Sequence, residues 1–147
     1  MRLIRSSLFT LVCLALQACN SSPTEGTVLA QVVIGTIDAG GTLDQVLSAP
    51  AAVVSNEAFT VTVTTFGNSC TGAAGAEVVV RGRVATITPY DQKWLGTGCL
   101  DLQRAYSRTV GVVFTEPGSA VLRVRGRSID RGDLVTIDHQ VTVSAQP

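Results

Sequence analysis

Apolar and polar side chains alternate one by one through much of this chain, and that period of two limits its fold more than any other feature. Phe59, Val61 and Val63 share one parity, and Thr60, Thr62 and Thr64 share the other. Successive side chains of an extended strand point to opposite faces, so the spacing describes a strand with one face buried and one face wet. Val110, Val112 and Phe114 repeat the pattern, as do Ala120, Leu122 and Val124 against Arg123, Arg125 and Arg127. The β-branched residues that crowd these runs suit a pleated, half-buried surface.

Turn formers stand between the runs: Gly67-Asn68, Pro89, Glu116-Pro117-Gly118 and Arg131-Gly132-Asp133. Further strands are predicted at residues 31–37 and 134–143, with a pair at 77–81 and 84–88 turning about Gly82. No segment keeps a helical period, and no internal repeat or second linker is visible. Seven or so short strands at these separations predict an all-β, antiparallel sandwich.

The first eighteen residues are built differently. Arg2 and Arg5 precede an apolar run over residues 8–16, interrupted only by Thr10, and Gln17 and Ala18 follow. That is the charged start, apolar middle and small-residue ending of a secretory signal peptide. A spanning helix needs about 20 apolar residues, roughly twice this run, so the segment is expected to direct export and be removed. Residues 16–19, Leu-Gln-Ala-Cys, resemble the lipobox of bacterial lipoproteins. The resemblance implies a diacylglyceryl thioether on Cys19, which becomes the first residue of the mature chain, usually with a further acyl chain on its amine. Two or more acyl chains anchor a protein stably where one does not. It also implies a bacterial cell-envelope location, at the outer membrane if the cell has two, because Asn20 follows the cysteine.

The mature chain would hold 129 residues, a size that suits one domain with a real core. Losing Arg2 and Arg5 leaves nine basic against eleven acidic side chains, a formal balance of minus two. No nucleic-acid partner is called for. Residues 20–26 (NSSPTEG) read as a polar linker, so residues 19–30 are expected to form a lipidated cysteine and flexible tether. Once Cys13 leaves with the signal peptide and Cys19 takes lipid, Cys70 and Cys99 remain. In an exported chain such a pair is expected to form a disulfide. Closing that loop is worth about 3.5 kcal/mol in the chain-entropy account.

Residues 58–70 (AFTVTVTTFGNSC), 85–90 (ATITPY) and 117–127 (PGSAVLRVRGR) resemble the immunoglobulin-like domains common in bacterial envelope proteins. The resemblance implies an immunoglobulin-like β-sandwich of about seven to eight strands over residues 31–147. True immunoglobulins place their disulfide between strands B and F, around a tryptophan on strand C. Here Cys70 falls just past a predicted strand, and Cys99 lies in a predicted loop that also holds Trp94. The bridge is therefore expected to tie loops at one end of the sandwich.

Little in the sequence points to catalysis, a cofactor or a metal. His139, the one histidine, shares the parity of Val135, Ile137, Val141 and Val143, which predicts a partly buried, satisfied side chain. No nucleophile-elbow spacing is present. The glycine-rich residues 67–75 lack the lysine and following helix of a phosphate loop. Asp130 and Asp133 flank a turn, where aspartate bonds its own backbone, and too few oxygen ligands accompany them for calcium. Arg131-Gly132-Asp133 resembles the integrin-recognition tripeptide of adhesion proteins, and is equally hairpin chemistry.

Two surfaces remain as candidates for contact. Arg123, Arg125 and Arg127 line one strand face, where they could grip polysaccharide carboxylates or phosphate, or simply discourage edge-to-edge pairing. Tyr90, Trp94 and Leu95 fall in a predicted loop, residues 90–98 (YDQKWLGTG), beside the expected disulfide. Its tryptophan could form a binding tip or fold back as a lid over the core. The expected function is a membrane-anchored envelope lipoprotein with a non-catalytic structural or recognition role and an envelope protein or polysaccharide partner. The rivals are an adhesion or ligand-capture module using the Trp94 loop, and a small envelope hydrolase or protease inhibitor. An enzyme predicts a concave pocket converging on His139; an interaction module predicts an apolar patch at a sandwich end.

Overall fold

The computed structural model describes residues 29–96 and 98–147. The expected signal peptide, Cys19 and the tether as far as residue 28 lie outside the described residues. Among the described residues are ten strands and one helical turn: β1 (Leu29–Ile34), β2 (Thr36–Ile37), α1 (Leu43–Val46), β3 (Leu47–Ser48), β4 (Ala52–Val54), β5 (Ala58–Gly67), β6 (Thr71–Arg81), β7 (Val84–Leu95), β8 (Arg104–Val113), β9 (Gly118–Ser128) and β10 (Leu134–Ser144).

The alternating runs become the long strands, and their parity decides what is buried. Val61 and Val63 of β5, Ile87 of β7, Val112 of β8, and Ala120, Leu122 and Val124 of β9 are all at most 1% exposed. Burying each of these valine, leucine and isoleucine side chains contributes about 1.5–3 kcal/mol over its exposed state. Phe114, just past β8, stacks on Phe59 with ring centroids 5.8 Å apart. On the opposite face of β5 and β8, Thr62 bonds Thr109 (3.2 Å) and Thr64 bonds Ser107 (2.9 Å), the cross-strand pairs that stabilise an exposed face.

Two sheets enclose this core. The smaller has the order β3-β5-β8, antiparallel throughout. The larger has seven strands, in which β7 pairs β6 along one edge and both β9 and β1 along the other, and β10 lies between β9 and β4. The expected wholly antiparallel sheet is not what forms. β7 beside β9, β2 beside β9 and β4 beside β10 are parallel. The chain leaves β7, crosses to the smaller sheet as β8 and returns as β9, and two crossings bring β9 back pointing the same way as β7.

β7 and β9 pair only from Val84/Val121 to Ile87/Val124. Beyond that point the first strands fill the space between them: β1 runs antiparallel to β7, and β2 runs parallel to β9. The change of direction falls at Gly35, whose N–H donates to Pro89 O (2.8 Å) and whose carbonyl accepts from Arg127 N–H (2.9 Å). A Cβ here would stand 2.5 Å from Thr65 Cγ2, so only glycine fits. Gly126 plays the matching part on β9, where a Cβ would meet Ile37 Cγ1 at 2.8 Å. The pairing of Leu29 with Leu95 starts the first strand two residues before the expected boundary at Gln31.

Candidate functional site

Cys70 and Cys99 are bonded, with Cα atoms 5.4 Å apart. Cys70 lies in the β5–β6 turn and Cys99 in the β7–β8 connection, so the bridge ties one end of the sandwich, as the sequence predicts. Asn68 shapes the turn by accepting at Oδ1 from Cys70 N–H (3.0 Å) and Thr71 Oγ1 (3.2 Å). The Tyr106 hydroxyl donates to Asn68 O (2.7 Å), while Ser69 and Leu100 exchange hydrogen bonds of 3.2 and 2.7 Å across the bridge.

A cleft of about 500 Å³ opens at this end, with Phe66, Asn68, the disulfide, Trp94 and Leu95 among its walls. The predicted 90–98 loop is not a loop over most of its length. Tyr90, Trp94 and Leu95 all belong to β7, because β1 pairs with residues 90–95 on one side and β6 with residues 84–93 on the other. Neighbours in a strand face opposite ways, so Trp94 and Leu95 diverge, and Tyr90 lies on the Trp94 face four residues away. Trp94 does fold back, although onto the backbone of Gly72 on β6: a Cβ at Gly72 would stand 2.8 Å from Trp94 Cη2. It is 38% exposed and is not a lid over the core. Leu29, Leu95, Leu100 and Leu102 are each more than half exposed at the same end.

One pleat deeper than Gly67 and Lys93, which line the cleft, lies a buried ion pair that the sequence reading missed. Arg108 is 8% exposed and Asp91 0%. Arg108 Nη2 donates to Asp91 Oδ1 (2.7 Å), Tyr106 O (3.1 Å) and Thr65 Oγ1, and Nη1 donates to Gly75 O (3.1 Å) and Tyr90 O. Thr65 Oγ1 in turn donates to Asp91 Oδ1 (2.7 Å), and Thr36 N–H reaches Asp91 Oδ2 at 3.4 Å. The signal was available: Thr65 shares the parity of Val61 and Val63, Asp91 that of Ala85 and Ile87, and Arg108 that of Val110 and Val112.

The three arginines of β9 lie together on one face, as expected, but they differ in their contacts. Arg123 makes a bidentate pair with Asp138 of β10, both contacts 2.7 Å. That hydrogen bond holds the Asp138 carboxyl below its usual range, against partial desolvation, and raises Arg123. Arg127 Nη1 donates to Gly132 O (2.9 Å). Arg125 has no ion pair or side-chain hydrogen bond among the described residues. Its charge acts on Tyr90, whose hydroxyl donates to Glu77 Oε2 (3.2 Å) and is raised above its ordinary range by desolvation first and by Glu77 second.

His139 is on the inward parity of β10 and half-buried, as predicted, but it is not satisfied: its buried Nε2 has no hydrogen-bond partner among the described residues. It does not line the cleft. Arg131-Gly132-Asp133 forms the exposed β9–β10 turn, with Gly132 at φ +72° and its N–H donating to Ser128 O (2.8 Å). Among the described residues no three histidine, cysteine or carboxylate side chains gather as metal ligands. No family model matches the chain, and it matches neither a curated protein nor a solved structure.

Proposed function

We propose that this chain is a membrane-anchored bacterial envelope lipoprotein, held through Cys19, whose body serves a non-catalytic structural or recognition role. The body is assigned an immunoglobulin-like β-sandwich. What supports that assignment is strand order: β3-β5-β8 follow the order A-B-E of that fold, while β9 and β10 lie side by side like F and G. β7 stands between β6 and β9, at the place where strand C meets F, although it runs parallel to β9 where that fold is antiparallel.

The observation that carries the role is the disulfide-braced end, where exposed Trp94 and Leu95 line an open cleft and Leu29, Leu100 and Leu102 stand exposed at the same end. Clustered exposed apolar side chains mark contact surfaces on exported and soluble domains alike. That His139 stands away from the cleft favours this reading over the hydrolase alternative. The test is mass spectrometry of the mature protein from its own cell, combined with membrane fractionation of a Cys19→Ser variant. A diacylglyceryl-modified N-terminal Cys19, and a variant that leaves the membrane fraction, are the expected results. An unmodified N-terminus would remove the anchor from the proposal.

A further inference from the structure

The apolar end has an orientation relative to the anchor that suggests what covers it. Leu29, the first described residue, pairs with Leu95, and Ala30 pairs with Trp94, so the chain enters the domain inside the exposed apolar patch. Nine residues, 20–28, separate Leu29 from Cys19. The ten Cα-to-Cα steps from Cys19 to Leu29 span no more than about 33–36 Å at full extension. β7 is 12 residues long, so its eleven steps lead about 36 Å from the opposite end to the patch at 3.3 Å per residue. A domain standing on that opposite end would need the tether drawn out to its full reach, at the cost of nearly all its conformational freedom. The patch is therefore the end kept nearest the bilayer.

Resting on the anchored reading above, we infer that this end seats on the lipid surface itself, with Leu29, Trp94, Leu95, Leu100 and Leu102 entering the boundary between headgroups and acyl chains. The chemistry fits that depth. Tryptophan rings are enriched where an apolar body meets a wet headgroup layer, and leucines insert just below it. Lys93 and Arg104, both exposed beside the patch, can extend their charges to lipid phosphates, with Asp101 as the opposing charge. The braced turn presents these side chains from ordered backbone, and the anchor keeps them at the bilayer, whereas a protein partner or second copy has to be met by diffusion.

Trp94 is the one tryptophan in the sequence, so its emission reports this end alone. The lipidated, mature protein is reconstituted in vesicles of phosphatidylcholine and phosphatidylglycerol, with and without lipids brominated on the acyl chain. Seating predicts a blue-shifted Trp94 emission that brominated lipid quenches and aqueous acrylamide reaches poorly. A Leu95→Ser/Leu100→Ser/Leu102→Ser variant should float with the vesicles, keep its β circular dichroism and lose the quenching. If that variant does not fold, the wild-type quenching decides. Protein that floats with the vesicles but keeps Trp94 open to acrylamide overturns the seating and leaves the anchored reading standing. Trp94 shielded from both quenchers assigns the end to a ligand or a second copy, and also overturns it. If the protein from its own cell carries no lipid on Cys19 and neither floats nor is quenched, both readings fall; if it is quenched without that lipid, the seating alone stands.

Discussion

Arg108 carries a charge into the interior, where removing either partner leaves the other uncompensated. Losing one half of a buried ion pair costs about 3–5 kcal/mol, whereas replacing both by apolar residues of similar volume is often neutral. Arg108 Nε has no hydrogen-bond partner among the described residues, so even the native pair is incompletely satisfied. Arg108→Ala is expected to lower the unfolding free energy by about 3–5 kcal/mol, read as a fall in the urea midpoint. The combined Asp91→Leu/Arg108→Met protein should recover most of that loss. An unmoved midpoint in Arg108→Ala would mean that the pair contributes nothing in solution. These residues were legible by parity alone, yet a charged side chain on an inward position reads as a turn or a register slip. Only the partners on its own strand and on three others make burial tolerable.

Elements show the same division between pattern and partner. β9 and β10 are readable because apolar residues recur at Ala120, Leu122 and Val124 and at Val135, Ile137, Val141 and Val143, and the register between them places Arg123 opposite Asp138. That pair sets a pH dependence. The folded carboxyl is held below its unfolded value of about 3.9, so the stability it contributes is complete above that value and disappears as pH falls through the folded one. The effect should be small, because both side chains are nearly half exposed and solvent screens them. Urea midpoints of the native protein and Asp138→Asn, measured from neutral to acid pH, should differ at neutral pH and converge below about pH 4. A difference that persists into acid would place the contribution elsewhere. β7 was read short because Asp91, Gln92 and Lys93 break the apolar pattern. Its last residues stay extended because β1 and β6 hydrogen-bond them from both sides.

For the whole molecule, the disulfide and the first strand close the same end from opposite directions. The bridge spans 29 positions in sequence, and its removal should cost about 3.5 kcal/mol through the freedom regained by the unfolded chain. A Cys70→Ser/Cys99→Ser protein is expected to show that loss in its urea midpoint. It should keep its β circular dichroism, since the bridge joins connections and leaves the core untouched. A midpoint within error of the native one would show that the hydrogen bonds of Asn68, Ser69 and Tyr106 brace the end without it.

The sequence by itself determined that this chain forms strands, which apolar side chains of β5, β8, β9 and β10 face inward, and which two cysteines join. Each of those rests on local spacing or on simple counting. The tertiary structure alone decided that β7 and β9 run parallel, that the chain turns at Gly35 to fill the gap between them, and that Arg108 and Asp91 share one buried site. It also brought Leu29, Trp94, Leu95, Leu100 and Leu102 to one end. Alternation records the face of a residue but not the neighbour of its strand, and neighbours are chosen by contacts between segments far apart in the chain.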